Sequence, residues 1–342
     1  MNSVFVSIII PCRNEEKFIS NVLENILSQT YDKSKLEVIV ADGISDDCTA
    51  DIVKEFADKY SFIKLISNPY KIVPHALNMA IKASVGEVII RMDAHSEYPS
   101  TYIERLVECL FSLNADNVGG VWINTPNSNS TKDISIAEAL ACPFGIGNAH
   151  YRTGTKEIKQ VDTVPFGCYK REIFEKIGFF DQDLVRNQDD EFNARLIKNG
   201  GKIFLIPDVE IVYYPRKTIG KLIKMFYQYG LFKPLVNKKV GSPATTRQLV
   251  PPLFFLFLLT IPITLFFGKT LFLISLIFLS FYVLTNLIFS LLLSIKKHRL
   301  IMLFVLPIIF FSIHISYGYG YIVGIFKFLF FASATAKVEI NR

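Results

Sequence analysis

Val4-Phe5-Val6-Ser7-Ile8-Ile9-Ile10-Pro11-Cys12-Arg13-Asn14-Glu15 decides how the N-terminal two thirds of the chain reads. Val4–Ile10 is a short run rich in β-branched residues and closed by Pro11, the pattern of a buried strand. A polar triplet, Arg13-Asn14-Glu15, follows at its carboxyl end. Working outward, Glu15–Gln29 carries Phe18, Ile19, Val22, Leu23, Ile26 and Leu27 at helical spacing. Leu36–Ala41 repeats the buried-strand pattern, and Thr49–Tyr60 reads as a helix entered through Ser45-Asp46-Asp47. Ile63–Ser67, Pro74–Ser84 and Glu87–Met92 continue as strand, helix and strand. This alternation predicts an α/β fold, Rossmann-like, with a mainly parallel sheet and helices on both faces.

Such sheets bind ligands at the carboxyl ends of their strands. Polar clusters fall there: Arg13-Asn14-Glu15, Asp42-Gly43 and Asp93-Ala94-His95. Asp42 can accept hydrogen bonds from a base or ribose while Gly43 lets the backbone turn closely. It can equally belong to a loop in which Asp46 or Thr49 caps the next helix. Strand alternation would put Asp93 and His95 on one side, spaced to chelate an ion or a metal-bound diphosphate, although strand ends also use Asp for turns. Gln188-Asp189-Asp190-Glu191 leads into a helix over Glu191–Asn199. Acids there either complement the helix dipole or supply a general base, and consecutive Asp189 and Asp190 cannot both face one site.

Composition divides the chain. Of 342 residues, 51% are hydrophobic, and charges present throughout as far as Arg247 nearly vanish from Leu249 onward. The length suits one large domain and a second element. Leu249–Phe267, with Pro262 predicting a kink, and Leu271–Ile295 are each long enough to span a bilayer. Leu300–Phe331 is a third apolar stretch, broken by His314, Tyr317-Gly318-Tyr319-Gly320-Tyr321 and Lys327, and reads as one long helix or two short ones. The expected organisation is a domain over 1–240 and three or four membrane helices within 249–335. His314, inside an apolar run, reads as a packing residue.

The net charge of +6 could serve nucleic acid or a membrane surface. Basic residues cluster over 216–247 and at Lys296-Lys297-His298-Arg299, both flanking apolar runs, and no nucleic-acid-binding motif accompanies them. The expected partner is therefore a membrane and not nucleic acid. The basic loop at 296–299 belongs on the cytoplasmic side, and two crossings then put the first domain on that side too. No signal-peptide pattern opens the chain. Five cysteines, Cys12, Cys48, Cys109, Cys142 and Cys168, are odd in number and form no Cys-x-x-Cys pair. They predict free thiols in a reducing compartment.

Val6–Asn14, Ala41–Thr49, Met92–His95 and Gln188–Arg195, in that order, resemble glycosyltransferase family 2 with its GT-A fold, over roughly Val4 to Lys239. Asp93-Ala94-His95, Pro165-Phe166-Gly167, Arg186-Asn187-Gln188-Asp189-Asp190-Glu191 and Gln228-Tyr229-Gly230 are similar to bacterial exopolysaccharide enzymes of the succinoglycan-biosynthesis type. The resemblance implies that Pro11, Arg13 and Glu15 face the nucleotide, that Asp42 reads the uracil of a UDP-sugar, and that Asn78 belongs to the same donor site. It makes Asp93 the first acid of the metal motif Asp-x-Asp, with His95 standing where the second Asp is usual, and implies a divalent cation, Mn2+ or Mg2+. Histidine ligates Mn2+ more readily than Mg2+. Alignment through Arg195 makes Asp189 the general base, with Asp190 second. Gln228 and Tyr229 lie on the acceptor side, where processive relatives carry Gln-x-x-Arg-Trp; that full motif is absent, which implies single-sugar transfer.

The expected activity is inverting transfer of a sugar, with glucose favoured, to a lipid-linked (polyprenyl diphosphate) saccharide in exopolysaccharide or cell-surface glycan synthesis. The expected location is the cell membrane, multi-pass, with the catalytic domain cytoplasmic. Thr218–Val240 mixes lysines with apolar residues, as a headgroup-layer helix does, or else packs as an ordinary amphipathic helix. Two alternatives are transfer to a polyisoprenyl phosphate and a non-catalytic nucleotide-binding membrane protein. The acidic set Asp42, Asp93 and Asp189 argues against the second.

Overall fold

The opening run forms β1 (Val6–Cys12), buried along its whole length, as a central strand with no polar face requires. In the computed structural model, which describes residues 4–243 and 245–330, the chain continues through α1 (Ile19–Leu27), β2 (Leu36–Asp42), α2 (Thr49–Lys59), β3 (Ile63–Ser67), α3 (Val73–Ala83) and β4 (Val88–Arg91). These are the predicted elements, with ends moved by a few residues. Next come β5 (Ser96–Glu97), α4 (Tyr102–Ser112), β6 (Asn117–Asn124), α5 (Thr131–Leu140), α6 (Pro143–Ile146) and α7 (His150–Thr153). The chain then forms β7 (Lys159–Gln160), β8 (Cys168–Lys170), α8 (Glu172–Ile177), α9 (Gln188–Lys198) and β9 (Ile203–Tyr213). The helices α10 (Ile219–Val240), α11 (Val250–Thr264), α12 (Lys269–Lys296) and α13 (Met302–Ile325) complete it.

One sheet holds these strands in the order β3-β2-β1-β4-β8-β6-β9-β5, with β7 paired to β9. β1, β2, β3 and β4 are mutually parallel. From β8 outward the sheet is mixed: β8 runs antiparallel to β4 and β6, and β9 antiparallel to β5 and β7. The fold is thus GT-A-like, and the parallel portion is its N-terminal half. β1 buries Val6, Ile8 and Ile10 against Ile19, Val22 and Leu23 of α1, within one apolar core that also takes in α4. A buried carboxylate in β2, Glu37, accepts from the Ser7 hydroxyl at 2.6 Å and the Val85 amide at 2.6 Å, as a charge removed from water must.

Two units emerge: Met1–Ile123 with Gly154–Tyr213, and Asn124–Thr153 with Tyr214–Arg342. The first carries the sheet. The second joins α5 to α7, a segment no sequence motif marks, with α10 and the apolar helices. α10 therefore groups with the apolar helices. The reason is packing. Leu222, Met225 and Phe226 of α10 share an apolar core with Ile136 and Leu140 of α5 and Leu306, Ile309, Phe310 and Ile313 of α13.

Three helical stretches are long and apolar enough to cross a membrane: Thr246–Phe267, Lys269–Lys296 and Met302–Phe330. α12 is inverted relative to a soluble helix. Its buried residues are Ser275, Asn286, Ser290 and Ser294, while Phe278 and Phe281 are each 61% exposed. Polar groups inside and apolar groups outside is the arrangement that lipid favours. The third stretch is one continuous helix, α13 running into a π-helical turn at Phe326–Phe330. Its glycine and tyrosine patch is a seam. A Cβ on Gly320 would lie 2.2 Å from the Tyr227 carbonyl oxygen, one on Gly324 2.2 Å from that of Leu231, and one on Gly230 2.1 Å from that of Tyr317. His314 is fully occupied in packing, with Nδ1 2.9 Å from the Tyr282 hydroxyl and Nε2 2.8 Å from the Phe144 carbonyl oxygen. Residues 331–335, the end of the expected membrane region, lie outside the described residues.

Candidate active site

The loops after β1 and β2 are knitted together. The Asn14 amide donates to Ser45 Oγ at 2.9 Å, the Asp46 amide returns to Asn14 Oδ1 at 2.9 Å, and the Glu15 amide donates to Thr49 Oγ1 at 2.8 Å. Asn14 (φ 55°) and Ile44 (φ 53°) hold left-handed backbone here. For a β-branched residue that conformation is costly, and such strain gathers at ligand sites. Pro11 is inside β1, opposite Ala41. Arg13 reaches Asp46 at 3.3 Å, and a side chain on Gly43 would meet that of Arg13 at 3.1 Å. Asp42 is buried (6% exposed) and accepts from the Ser45 amide at 3.0 Å. Its own carbonyl receives the Asn68 amide at 2.7 Å, which ties the end of β3 to the end of β2.

β4 stops at Arg91, so Asp93 and His95 stand in the turn to β5 and strand alternation does not place them. Asp93 is pinned by Tyr98, whose hydroxyl accepts from the Asp93 amide at 2.7 Å. Arg91 is buried and organises the site. Its Nε donates to Asp93 Oδ1 at 2.9 Å and its Nη2 to Asp93 Oδ2 at 3.2 Å. Its Nη1 lies 2.6 and 2.7 Å from the two carboxylate oxygens of Asp189. One guanidinium therefore bridges the expected metal acid and the expected base, residues 96 positions apart in sequence. Burial works against the charge on Arg91, but Asp189 and Asp93 more than offset it and hold its pKa above the ordinary arginine value. Phe166, itself at positive φ (48°), sets its ring 5.7 Å from the guanidinium. Sequence reasoning missed Arg91. The signal was an arginine closing the apolar run Val88-Ile89-Ile90, where a buried cation needs partners.

Asp189 lies in the first turn of α9, whose N-cap Asn187 is left-handed (φ 62°). Burial pushes the Asp189 pKa up, Asp93 and Asp190 push it the same way, and Arg91 opposes them. That balance suits a proton acceptor. Glu191 is engaged elsewhere, receiving Arg195 Nε at 2.8 Å, and Arg195 also donates to the Phe179 carbonyl oxygen at 2.8 Å. Asn78 braces the same loop. Its Nδ2 donates to the Phe180 carbonyl oxygen at 2.8 Å and its Oδ1 accepts from the Phe180 amide at 3.0 Å. Gln228 and Tyr229 are on α10 in the second unit, Gln228 buried (1% exposed).

Among the described residues no three His, Cys, Asp or Glu groups stand close enough to hold a metal ion alone. The donors at the β4 end are one carboxylate, Asp93, and one imidazole, His95, whose Nδ1 is 3.8 Å from Glu15 Oε1. Side-chain exposures of 17% for Asp93 and 35% for His95 leave both accessible. One or two protein ligands fit a divalent ion that takes its remaining ligands from a diphosphate.

Comparisons with known proteins show the family and the fold. The family model Glycosyl transferase family 2 matches residues 7–178. A dolichyl N-acetyl-alpha-D-glucosaminyl phosphate 3-beta-D-2,3-diacetamido-2,3-dideoxy-beta-D-glucuronosyltransferase of Methanococcus voltae is 32% identical over 331 residues, 94% of this chain and 98% of its own. The succinoglycan biosynthesis protein ExoA of Rhizobium meliloti is 33% identical over 247 residues, 71% of this chain and 73% of its own. Among solved structures, a mannosyltransferase from Pyrobaculum calidifontis in complex with GDP-Man and Mn2+ superposes with a TM-score of 0.61 at 18% identity, covering 95% of this chain and 88% of its own. That likeness shows the fold.

Proposed function

The chain belongs to glycosyltransferase family 2, and we propose that within it the protein is an inverting, membrane-anchored enzyme that moves one sugar from a UDP-linked donor to a lipid-linked saccharide. The observation that carries the proposal is the Arg91 bridge, which sets an accessible carboxylate at the donor end of β4 beside a second carboxylate with a raised pKa on α9. Asp42 and the knitted loops around Arg13 and Glu15 would receive the nucleotide. Asp93, with His95, would hold a divalent cation, which supplies charge neutralisation to the departing diphosphate. Asp189 takes the proton from an acceptor hydroxyl. The hydroxyl oxygen forms its bond to the anomeric carbon from the face opposite the diphosphate, whose glycosidic C–O bond breaks. A single displacement inverts the configuration.

A lipid-linked acceptor is supported by the apolar helices and by the Methanococcus relative, whose name specifies a dolichyl phosphate-linked sugar and which aligns over nearly all of both chains. A cytoplasmic catalytic domain is supported by the loop between α12 and α13. Lys297 Nζ lies 2.6 Å from Glu138 of α5, and Arg299 donates to the Asn129 carbonyl oxygen at 2.8 Å. The basic loop is thereby fastened to α5 within the second unit, and a basic loop between two spans belongs on the cytoplasmic side. The test is release of nucleoside diphosphate by purified protein with Mn2+, a panel of UDP- and GDP-sugars, and lipid-linked acceptors. Release requiring a glycosylated lipid supports the proposal. Release with a bare polyisoprenyl phosphate alone replaces the acceptor, and nucleotide binding without any release would make the protein a binding module.

A further inference from the structure

We propose that Arg91 is a positioning residue that couples loading of the donor and its cation at Asp93 to fixing of the base at Asp189. The role rests on the reading of Asp189 as the base. Arg91 offers a planar fork of donors, and all three of its nitrogens are spent on two carboxylates. One positive charge is thus shared between two negative ones. Neither carboxylate has the guanidinium to itself. The clasp is held from behind, since the Arg91 amide donates to the Gly167 carbonyl oxygen at 3.1 Å and Phe166 covers the guanidinium. Asp93 is held by Tyr98. The shared charge is consequently what can be redistributed.

Asp93, if it held a divalent cation, would be drawn away from Arg91. Arg91 would then turn its full charge onto Asp189 and hold the base aligned and ionised. Loading the donor therefore sets the base before an acceptor arrives. Coupling between two binding events is reciprocal. Removing the negative charge of Asp189 must then leave Arg91 to Asp93 alone and weaken binding of the cation and nucleotide.

The experiment measures, by calorimetry on the full-length protein in detergent, the Mn2+-dependent affinity for UDP or GDP, whichever the wild type binds more tightly. Asp189→Asn should weaken that affinity about fivefold or more, the lower range of a coupling between sites. In an Arg91→Met background the same change should alter it by less than about twofold, as expected of uncoupled positions. If Arg91→Met does not fold, Arg91→Lys serves, because a single ammonium cannot clasp both carboxylates, and the Asp189→Asn effect should again fall below about twofold. An Asp189→Asn effect of equal size with and without Arg91, or no effect in either background, would overturn the role of Arg91. That outcome with wild-type transfer intact leaves the enzymatic reading standing, whereas full transfer by Asp189→Asn overturns both.

Discussion

Asp189 can act as a base only while ionised, so transfer should fall as pH drops through its pKa. Burial, Asp93 and Asp190 raise that pKa from the ordinary 3.8 and Arg91 opposes them, which places the acid limb of kcat/KM above 3.8. Asp190→Asn removes one of the raising charges. It should retain transfer and move the limb to lower pH, as read from a pH profile of kcat/KM. Loss of transfer in Asp190→Asn with transfer kept in Asp189→Asn would hand the role to Asp190. Asp189 is a candidate base through the family resemblance, aligned on Arg195, whereas no motif in the sequence singles out Arg91. Its partners lie two and 98 positions away, and only the fold shows that one guanidinium serves both. Asn78 differs in kind. The resemblance implies a place for it in the donor site, and in the structure both ends of its amide bind the Phe180 backbone.

At the scale of elements, β1 to β4 and the helices between them were legible because each is specified by its own local pattern. The antiparallel half of the sheet was not. β8 is three residues long and β5 and β7 two each, too short for alternation to register, and their pairing depends on distant partners. α13 was ambiguous because glycine weakens a helix in isolation. In the folded second unit the same glycines let α10 and α13 approach backbone to backbone, a gain that offsets the propensity cost. Gly320→Val should therefore lower the stability of the detergent-solubilised protein by about 1–3 kcal/mol, the usual penalty for overpacking. Thermal unfolding followed by tryptophan-independent scattering or calorimetry would show it as a lower Tm. An unchanged Tm would mean that the seam opens at little cost.

At the scale of the molecule, the shift from charged to apolar sequence near Leu249 anticipated the membrane helices, while the grouping of 124–153 with them could not be anticipated. That segment has no long apolar run, and its place follows from packing and from its hold on the loop at 296–299. Cys48 is exposed while Cys12, Cys109, Cys142 and Cys168 are buried, which makes it a native reporter of sidedness. A membrane-impermeant maleimide should label Cys48 after lysis and not in intact cells. Phe267, 75% exposed between the first two spans, should be labelled in intact cells as Phe267→Cys. Reversal of the two results would invert the topology.

The most direct test of the central claim is a paired measurement on wild type and Asp189→Asn: sugar transfer to a lipid-linked saccharide, and nucleotide affinity, under the same conditions with Mn2+. The account predicts transfer lowered about 10²–10⁴-fold, the contribution of a positioned base, with the nucleotide still bound at an affinity weakened only by the loss of coupling through Arg91. Transfer at the wild-type rate by Asp189→Asn would contradict it.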